Sequence, residues 1–258
     1  MKRRIILTWP AAWLATANAA HAAGDAEVAA PRRYAALSLI GDKVSVITDR
    51  PSVGSHLDTN RRESFAVKEA AFDKEVLRAA AAALGKTDPR APVSYLLAKL
   101  PGHYENHDKL FDGTRLVLPD DIAQAVRGTQ ATHLLLVTKR RGEARVRTLD
   151  ATLGSGRFEG LGFYLDHQQP MKRGDTGEHS IGFLAPFVYV DVSLIDIATL
   201  QVLSTVSVMH AVAISAARNK DGADPWGALT PARKGEWMQE ALAREVGAAM
   251  TGVLKAGR

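Results

Sequence analysis

The chain has 258 residues, of which 46% are hydrophobic and 24% charged, and its 33 basic and 28 acidic side chains give a formal net charge of +5. These proportions are those of a globular protein and exclude collagen-like, low-complexity and wholly disordered chains. The chain has no cysteine, which excludes disulfide frameworks, thiol nucleophiles, cysteine-based metal sites and lipid anchors attached to cysteine.

Residues 1–22 have the plan of a secretory signal peptide. Basic residues at positions 2–4 precede an apolar run from Ile5 to Ala17, and Ala20-His21-Ala22 supplies small residues where signal peptidase cleaves. The run is shorter than the about 20 residues that a transmembrane helix needs, and no second long apolar run follows. We therefore expect cleavage near Ala22 and a periplasmic protein without a transmembrane segment; the alternative is an N-terminal anchor that stays attached. Without the leader the charges nearly balance, so nucleic acid is not expected as a partner.

The segment after the leader predicts a short disordered lead-in followed by one domain. Residues 23–32 are small and polar, and no linker interrupts residues 33–258. Residues 36–40 and 43–47 predict two strands that pair as a hairpin around the tight turn Gly41-Asp42.

Three helices are predicted from capping residues and apolar spacing. The first runs from Asp73 to Leu84, with Asp73 as its N-cap and Gly85 as its stop. The second runs from Pro119 to Arg127. A long C-terminal helix from Pro231 to Ala256 begins after a threonine cap and has one apolar stripe at spacings of three and four.

The other predicted elements are mainly strands. Residues 49–63 predict a polar loop, and residues 93–100 fit either a short helix or a strand. Residues 131–138 form an apolar run typical of a strand buried on both faces. The clearest hairpin pairs the alternating residues 187–195 with residues 201–212. The predicted fold is therefore α/β or α+β: one mixed sheet with several antiparallel hairpins, flanked by about three helices.

A possible metal site lies at His103, Glu105 and His107. On a helix, imidazoles four residues apart would share a face and could bind a divalent metal. The zincin pattern needs Glu directly after the first His, and Pro101-Gly102 upstream favours a loop. Two hypotheses stay open: structural or solvent-exposed histidines, and a metal site that would make the protein a metal-assisted hydrolase.

Other polar motifs resemble functional sites less closely. Gly154-Ser155-Gly156 begins a GxGxxxG segment, but it lacks both the Lys-Ser/Thr of a Walker loop and the GxSxG elbow. His133 and His210 lie in predicted strands, and Asp175 and Glu178 lie in a polar loop. None of these residues is placed for acid–base chemistry, so no catalytic residue and no cofactor is expected.

About half of the Phe and Tyr residues fall in residues 154–190, on either side of a predicted polar loop over residues 166–180. One interpretation is that they form core strands. The other is an exposed apolar hairpin that contacts a protein partner, and its candidate contact residues are Phe158, Leu161, Phe163, Tyr164 and Phe183.

The order of these elements resembles a group of bacterial envelope domains. The resemblance rests on residues 72–77, 128–135, 190–196 and 199–203. It is to the α/β domain of the curli secretion lipoprotein, the N-terminal domain of the Tol-associated periplasmic protein and the lipoprotein activators of peptidoglycan synthases. Thr132-His133 replaces their Asp-Tyr pair, and Leu200 stands where they have Gly. The chain is also similar to uncharacterised exported proteins of Gram-negative proteobacteria, and the resemblance implies an α/β fold and a non-enzymatic role.

Together these observations predict an exported periplasmic, non-catalytic binding or assembly protein of the Gram-negative envelope. Its expected partner is an envelope protein or a second copy of itself. The metal-assisted hydrolase is one alternative, and a carrier of a small ligand is another.

Overall fold

The computed structural model describes residues 31–257 except for residues 42, 51–57, 105–106, 175 and 220–223. The expected signal peptide, and residues 23–30 of the expected lead-in, lie outside the described residues. The stretch from Arg32 to Arg258 forms one compact unit. None of its described helices is long and apolar enough to cross a membrane.

The predicted helices are present: the first two have different ends, and the helical stretch from Pro231 to Ala256 has the predicted ends. They are α1 (Ala71–Thr87), α2 (Asp120–Gly128), α3 (Pro231–Ala241) and α4 (Gly247–Ala256), with a π-helical turn over Leu242–Val246 that joins the last two. The stop predicted at Gly85 is wrong, because α1 continues through it until the N–H of Asp88 bonds to the carbonyl of Leu84. The threonine cap of α3 is confirmed: the Thr230 side chain accepts the N–H of Arg233.

The strands of the described chain include several that are very short. In chain order they are β1 (Tyr34–Leu39), β2 (Lys43–Thr48), β3 (Arg61–Ala66), β4 (Val93–Leu97), β5 (Phe111–Asp112), β6 (Arg115–Leu116), β7 (His133–Lys139), β8 (Arg141–Glu143), β9 (Val146–Arg147), β10 (Thr152–Leu153), β11 (Arg157–Lys172), β12 (His179–Asp196), β13 (Val202–Ala211) and β14 (Ile214–Ser215). The ambiguous residues 93–100 thus contain a strand. The hairpin of β12 and β13 is confirmed, with Phe187 opposite Ala211.

The main sheet is mixed, with the order β3-β2-β11-β12-β7-β1-β4 and with β13 paired to β12. Residues 179–189 of β12 pair with β11, and residues 190–196 pair with β7. Strands β7 and β11 therefore lie end to end in one row beside β12. Strands β1 and β2, which run parallel to β7 and β11, lie end to end in the next row. The fold is α+β, as predicted.

The predicted hairpin of β1 and β2 is wrong, although both strands exist. All six residues of β1 are buried, and its two edges are taken by β7 and β4 in parallel. No edge of β1 is left for β2. The chain therefore bends at Gly41 (φ +93°) and continues as β2, which lies beyond the end of β1 and pairs with β11.

Strands extend into two segments that were predicted as polar loops. The predicted loop over residues 49–63 overlaps the start of β3. All six residues of β3 are exposed, so its sequence lacks the alternation of apolar and polar residues that marks a half-buried strand. The loop over residues 166–180 is shorter than predicted, because β11 and β12 continue to Lys172 and from His179.

The sheet is covered on both faces. One face packs against α1 and the C-terminal helical stretch of α3, the π-helical turn and α4. The buried side chains of that stretch include, as the sequence predicts, Met238, Leu242, Val246, Ala249, Met250 and Val253. On the other face, α2 covers the part around β1 and β7. The segment that contains β8, β9 and β10 covers an aromatic cluster on β11 and β12.

Candidate functional site

A partly open cavity with a mainly apolar lining lies between β4 and α2. It has a volume of about 370 Å³. Most of its wall is aliphatic, formed by Leu37, Leu96, Leu97, Ala98, Leu100, Ile122 and Ala125. Its polar side chains are Lys99, His103 and Asp121. We call this cavity the β4–α2 pocket.

The pocket exists because a short helix covers the edge of the sheet incompletely. Helix α2 buries only Ile122 and Val126 against the strands. Strand β4 lies at the edge of the sheet order, and Leu97 is 42% exposed there. Leu100, beyond the end of β4, is 56% exposed. Aliphatic side chains therefore line a space that no other described element fills.

The polar end of the pocket is a hydrogen-bonded pair of side chains from two segments. His103 lies in the 3-10 turn Pro101–Tyr104 that follows β4, and Asp121 lies in the first turn of α2. The His103 Nε2 atom is 2.7 Å from Asp121 Oδ2, and the histidine side chain is only 12% exposed. A carboxylate at the start of a helix also interacts favourably with the helix dipole, so Asp121 is a well-placed anchor for the imidazole.

The other ring nitrogen of His103 is buried among protein atoms. Its Nδ1 atom is buried and makes no hydrogen bond to any described residue. An ionised carboxylate can only accept hydrogen bonds, so Nε2 carries the proton that faces Asp121. In the neutral ring, Nδ1 is then a hydrogen-bond acceptor.

The predicted metal site stays a prediction. Glu105 lies outside the described residues, as does the side chain of His107. Within the part of the chain that the structure describes, no group of three or more His, Asp or Glu side chains could hold a metal ion. The side chain of His103 is instead paired with Asp121, a residue that the sequence analysis did not select.

The aromatic residues proposed as partner contacts lie in the core, so the exposed-hairpin interpretation is wrong. The five residues are at most 6% exposed, namely Phe158, Leu161, Phe163, Tyr164 and Phe183. Phe158 stacks on Phe187 with ring centroids 4.3 Å apart. The reason is that both faces of β11 and β12 are covered, so neither alternating set of side chains reaches solvent.

The glycine-rich segment from Gly154 is a turn that leads into β11. Gly154 and Gly156 have φ values of +109° and +74°, which glycine adopts without strain. The N–H of Ser155 donates to the Tyr164 hydroxyl, which in turn donates to Asp49 Oδ1 at 2.8 Å. Burial raises the pKa of Tyr164. These contacts fix the turn, and a strand follows it where a phosphate-binding loop would need a helix.

The remaining candidate residues have local structural contacts. His133 Nδ1 is 2.8 Å from the Thr132 hydroxyl, and burial lowers the pKa of His133. The His210 ring stacks on Trp237 with centroids 5.7 Å apart, and burial lowers the pKa of His210 too. Glu178 pairs with Arg173 at 3.7 Å. Asp175 lies outside the described residues.

A second buried polar group lies where β1 gives way to β2. Asp73 was predicted to cap α1, but the helix begins at Ala71 and the carboxylate points into the sheet instead. Its Oδ1 atom accepts hydrogen bonds from the Ser38 hydroxyl at 2.5 Å and from the N–H of Ile40 at 3.3 Å. Burial raises the pKa of Asp73 to about 6, against the opposing effect of those hydrogen bonds. This side chain joins α1 to the bend between the two strands.

No family model and no curated protein matches the chain. Among solved structures it is similar to a PelC dodecamer from Paraburkholderia phytofirmans, with 11% identity, coverage of 86% of each chain and a TM-score of 0.34. It is also similar to a neuraminyllactose-binding hemagglutinin homologue from Helicobacter pylori, with 8% identity, coverage of 86% of this chain and 84% of that one, and a TM-score of 0.35. A third is protein XCC0632 from Xanthomonas campestris, with 8% identity, coverage of 88% and 85%, and a TM-score of 0.37.

These similarities are too weak to support an argument about function. Each TM-score lies below 0.5, and the identities are near 10%. The expected resemblance to the curli and Tol-associated proteins is not confirmed by them. The function of the chain has to be argued from its own residues.

Proposed function

We propose that the chain is an exported, non-catalytic binding protein of the Gram-negative envelope that holds a small apolar molecule in the β4–α2 pocket. The observation that carries this proposal is the aliphatic cavity of about 370 Å³ with one polar end. The leader pattern of residues 1–22 supports the location. An envelope protein or a second copy of the chain stays an expected further partner.

The size and lining of the pocket favour a small ligand. Ligand sites have volumes of roughly 300–1,000 Å³ and are mostly apolar with a few polar groups. At roughly 30 Å³ for each water-sized group, the pocket has room for about a dozen such groups. Apolar surface that enters it contributes about 25 cal/mol per Å², so an aliphatic or aromatic molecule of this size gains most from binding.

The polar groups in the pocket favour binding over catalysis. Its described lining has no Ser, Thr, Tyr or Cys side chain that could act as a nucleophile. The imidazole of His103 could activate such a group, but it contacts Asp121 and no hydroxyl. The described lining therefore offers no side-chain nucleophile for covalent catalysis, and we propose that the His103–Asp121 pair orients a ligand.

The first test measures binding of the apolar fluorescent probe N-phenyl-1-naphthylamine to the purified full chain. We expect saturable fluorescence enhancement in the wild type. Ala125→Phe, on the pocket side of α2, should weaken it at least tenfold because the new ring fills the cavity. Gln124→Phe is the matched control, since it adds the same ring at the next residue, which is exposed and outside the pocket lining. Absence of saturable binding, or equal binding by the two variants, would contradict the proposal.

The second test concerns location. The chain expressed with its own leader should appear in the periplasmic fraction with an N-terminus that follows Ala22. Recovery of the intact N-terminus from the cytoplasm would refute export and would leave the ligand measurement as a separate question.

A further inference from the structure

A second cavity lies over β2, β3 and the middle of β11, and none of its described lining residues belongs to the β4–α2 pocket. Its volume is about 560 Å³. Thr48 of β2 pairs with Arg61 on one side and with Leu165 on the other, so these side chains project from the same face of the sheet. Trp226, from the turn Pro225–Ala228, forms part of the wall. We call this cavity the β3 pocket.

The apolar part of the β3 pocket has a fixed wall and an open aromatic ring. Trp226 is held in place by Phe163, whose ring packs edge to face at 5.6 Å, and by the Lys234 ammonium 3.9 Å from the Trp226 ring centroid. Buried aliphatic side chains of β2 and β11 form the floor. Phe65 lines the pocket from β3 and is 53% exposed. Its flat ring is therefore accessible to a ligand that enters the pocket.

The polar part of the β3 pocket carries charges of both signs. Arg50, Arg61 and Glu63 line it and are exposed to solvent. Arg61 and Glu63 form an ion pair at 2.6 Å. Asp49 also lines the pocket, and its Oδ1 atom accepts a hydrogen bond from the Tyr164 hydroxyl. N–H donors and carboxylate acceptors thus stand side by side beside an apolar surface.

This mixture of groups disfavours ligands with a single chemical character. An anion would meet Asp49 and Glu63, and a cation would meet Arg50 and Arg61. A purely apolar molecule would remove water from these charged groups and return no hydrogen bond. A zwitterion would gain two ion pairs only by opening the Arg61–Glu63 pair, and ion pairs at exposed positions stabilise little.

A neutral ligand with several hydroxyl groups meets none of these costs. Each hydroxyl can both donate and accept, so it can use the guanidinium N–H groups and carboxylate lone pairs that the Arg61–Glu63 pair leaves over. The same ligand needs an apolar face, because the floor and the Phe65 ring are apolar. A pyranose ring with equatorial hydroxyls combines both features: polar groups around its rim and C–H groups on its faces, which suit the negative face of an aromatic ring.

The volume of the β3 pocket agrees with a short saccharide. At roughly 30 Å³ for each water-sized group, about 560 Å³ holds nearly twenty such groups. A hexose unit has about eleven non-hydrogen atoms, so the pocket has room for between one and two rings.

We propose that the β3 pocket binds an uncharged saccharide of one or two pyranose rings, with the face of one ring on Phe65 and its hydroxyls bonded to Arg61, Glu63 and Asp49. The proposal goes beyond the proposed function, since it adds a second site with a different class of ligand. Neither site depends on the other.

The test measures binding of two neutral disaccharides, cellobiose and N,N′-diacetylchitobiose, to the full chain by calorimetry and saturation-transfer NMR. We expect saturable binding of at least one of them. In its β-linked rings the hydrogens on C1, C3 and C5 lie on one face and those on C2 and C4 on the other. Stacking on Phe65 should therefore give unequal transfer to the two sets.

Two variants with matched controls locate the site. Phe65→Ala should weaken binding at least fivefold and remove the unequal transfer, whereas Tyr95→Ala, which removes another exposed aromatic ring from β4, should stay within twofold of the wild type. Phe65→Leu, which keeps an apolar side chain without a flat ring, replaces the alanine variant if that does not fold. Glu63→Ala should weaken binding at least threefold, whereas Glu178→Ala removes another glutamate that pairs with an arginine, outside the pocket lining, and should have no effect.

The outcomes keep this site separate from the β4–α2 pocket. Ala125→Phe, which fills that pocket, should leave disaccharide affinity unchanged. Absence of saturable binding by both disaccharides overturns the proposal, as does equal weakening by Phe65→Ala and Tyr95→Ala. Tighter binding of inorganic phosphate or of phenylalanine at the same residues would assign the pocket to an anion or a zwitterion and would also overturn it. None of these results changes the binding of N-phenyl-1-naphthylamine that tests the proposed function.

Discussion

Substitution of Asp73 by Asn should change how the stability of the protein depends on pH. The ordinary pKa of this carboxyl is 3.8, and burial in the fold raises it to about 6. Between these two pH values the folded chain holds a proton that the unfolded chain has released, so wild-type stability falls as pH rises. The contribution is fully present below pH 3.8 and lost above about pH 6.

The magnitude follows from the same two pKa values. At about 1.4 kcal/mol for each pKa unit, the interval from 3.8 to about 6 corresponds to about 3 kcal/mol of unfolding free energy. The asparagine that replaces Asp73 has the shape of the neutral acid and cannot ionise, and its side-chain oxygen can still accept from Ser38 and Ile40. The variant should therefore gain about 3 kcal/mol relative to the wild type between pH 4 and pH 7.5, or about 6–12 °C in Tm for a chain of this size.

Denaturant unfolding at a series of pH values measures this difference directly. The free energy of Asp73→Asn minus that of the wild type cancels the titration of all other groups. Asp150→Asn is the matched control, because it makes the same substitution at an exposed position and should change the unfolding free energy little. Parallel curves for Asp73→Asn and the wild type would refute the assigned burial effect.

Two further predictions concern the packing of the sheet and the contacts of β12. Gly162→Ala should destabilise the fold by about 3 kcal/mol in denaturant unfolding, because the added Cβ would overlap the ring of Phe187. Gly85→Ala is the control, since a Cβ added there meets no atom within 4 Å and should stabilise α1 by about 0.5–1 kcal/mol. Similar losses of stability in both variants would show that the overlap does not matter. Tyr189→Phe removes a hydroxyl that accepts a hydrogen bond from the N–H of Arg145 and donates one to the carbonyl of Glu143. We expect the free energy of unfolding to fall by about 1–2 kcal/mol and amide hydrogen exchange at Arg145 to become faster. Unchanged exchange at Arg145 would contradict the role of this hydrogen bond.

The sequence predicts elements better than their pairing. The strand at residues 131–138, the hairpin of β12 and β13 and the capped C-terminal helix follow from local apolar periodicity and capping residues. The pairing of β1 and β2 does not follow, because an apolar run looks the same whether its neighbour is the next strand along the chain or a strand a hundred residues away. Tyr34 pairs with His133 in this sheet.

The candidate site is hidden from sequence for a related reason. His103 was noticed because another histidine lies four residues later, whereas its observed partner is Asp121. That carboxylate follows Asp120 at the start of α2 and looks like an ordinary N-terminal acid. The sequence signal for this contact is a pair of acidic residues at the start of a helix that follows a histidine. That pattern alone does not distinguish a binding pocket from a solvent-exposed turn.

The position of the pocket follows from how the parallel strands end. In sheets with parallel strands, ligands bind beyond the carboxyl ends, where helices begin. Strands β1, β4 and β7 run parallel, but β2 continues the row of β1, so the space beyond the end of β1 is occupied. Strand β4 ends at Leu97, and the chain turns there into the segment that carries His103. An opening beside the start of α2 is therefore left at the edge of the sheet, and a ligand held there would bind without separating any strands.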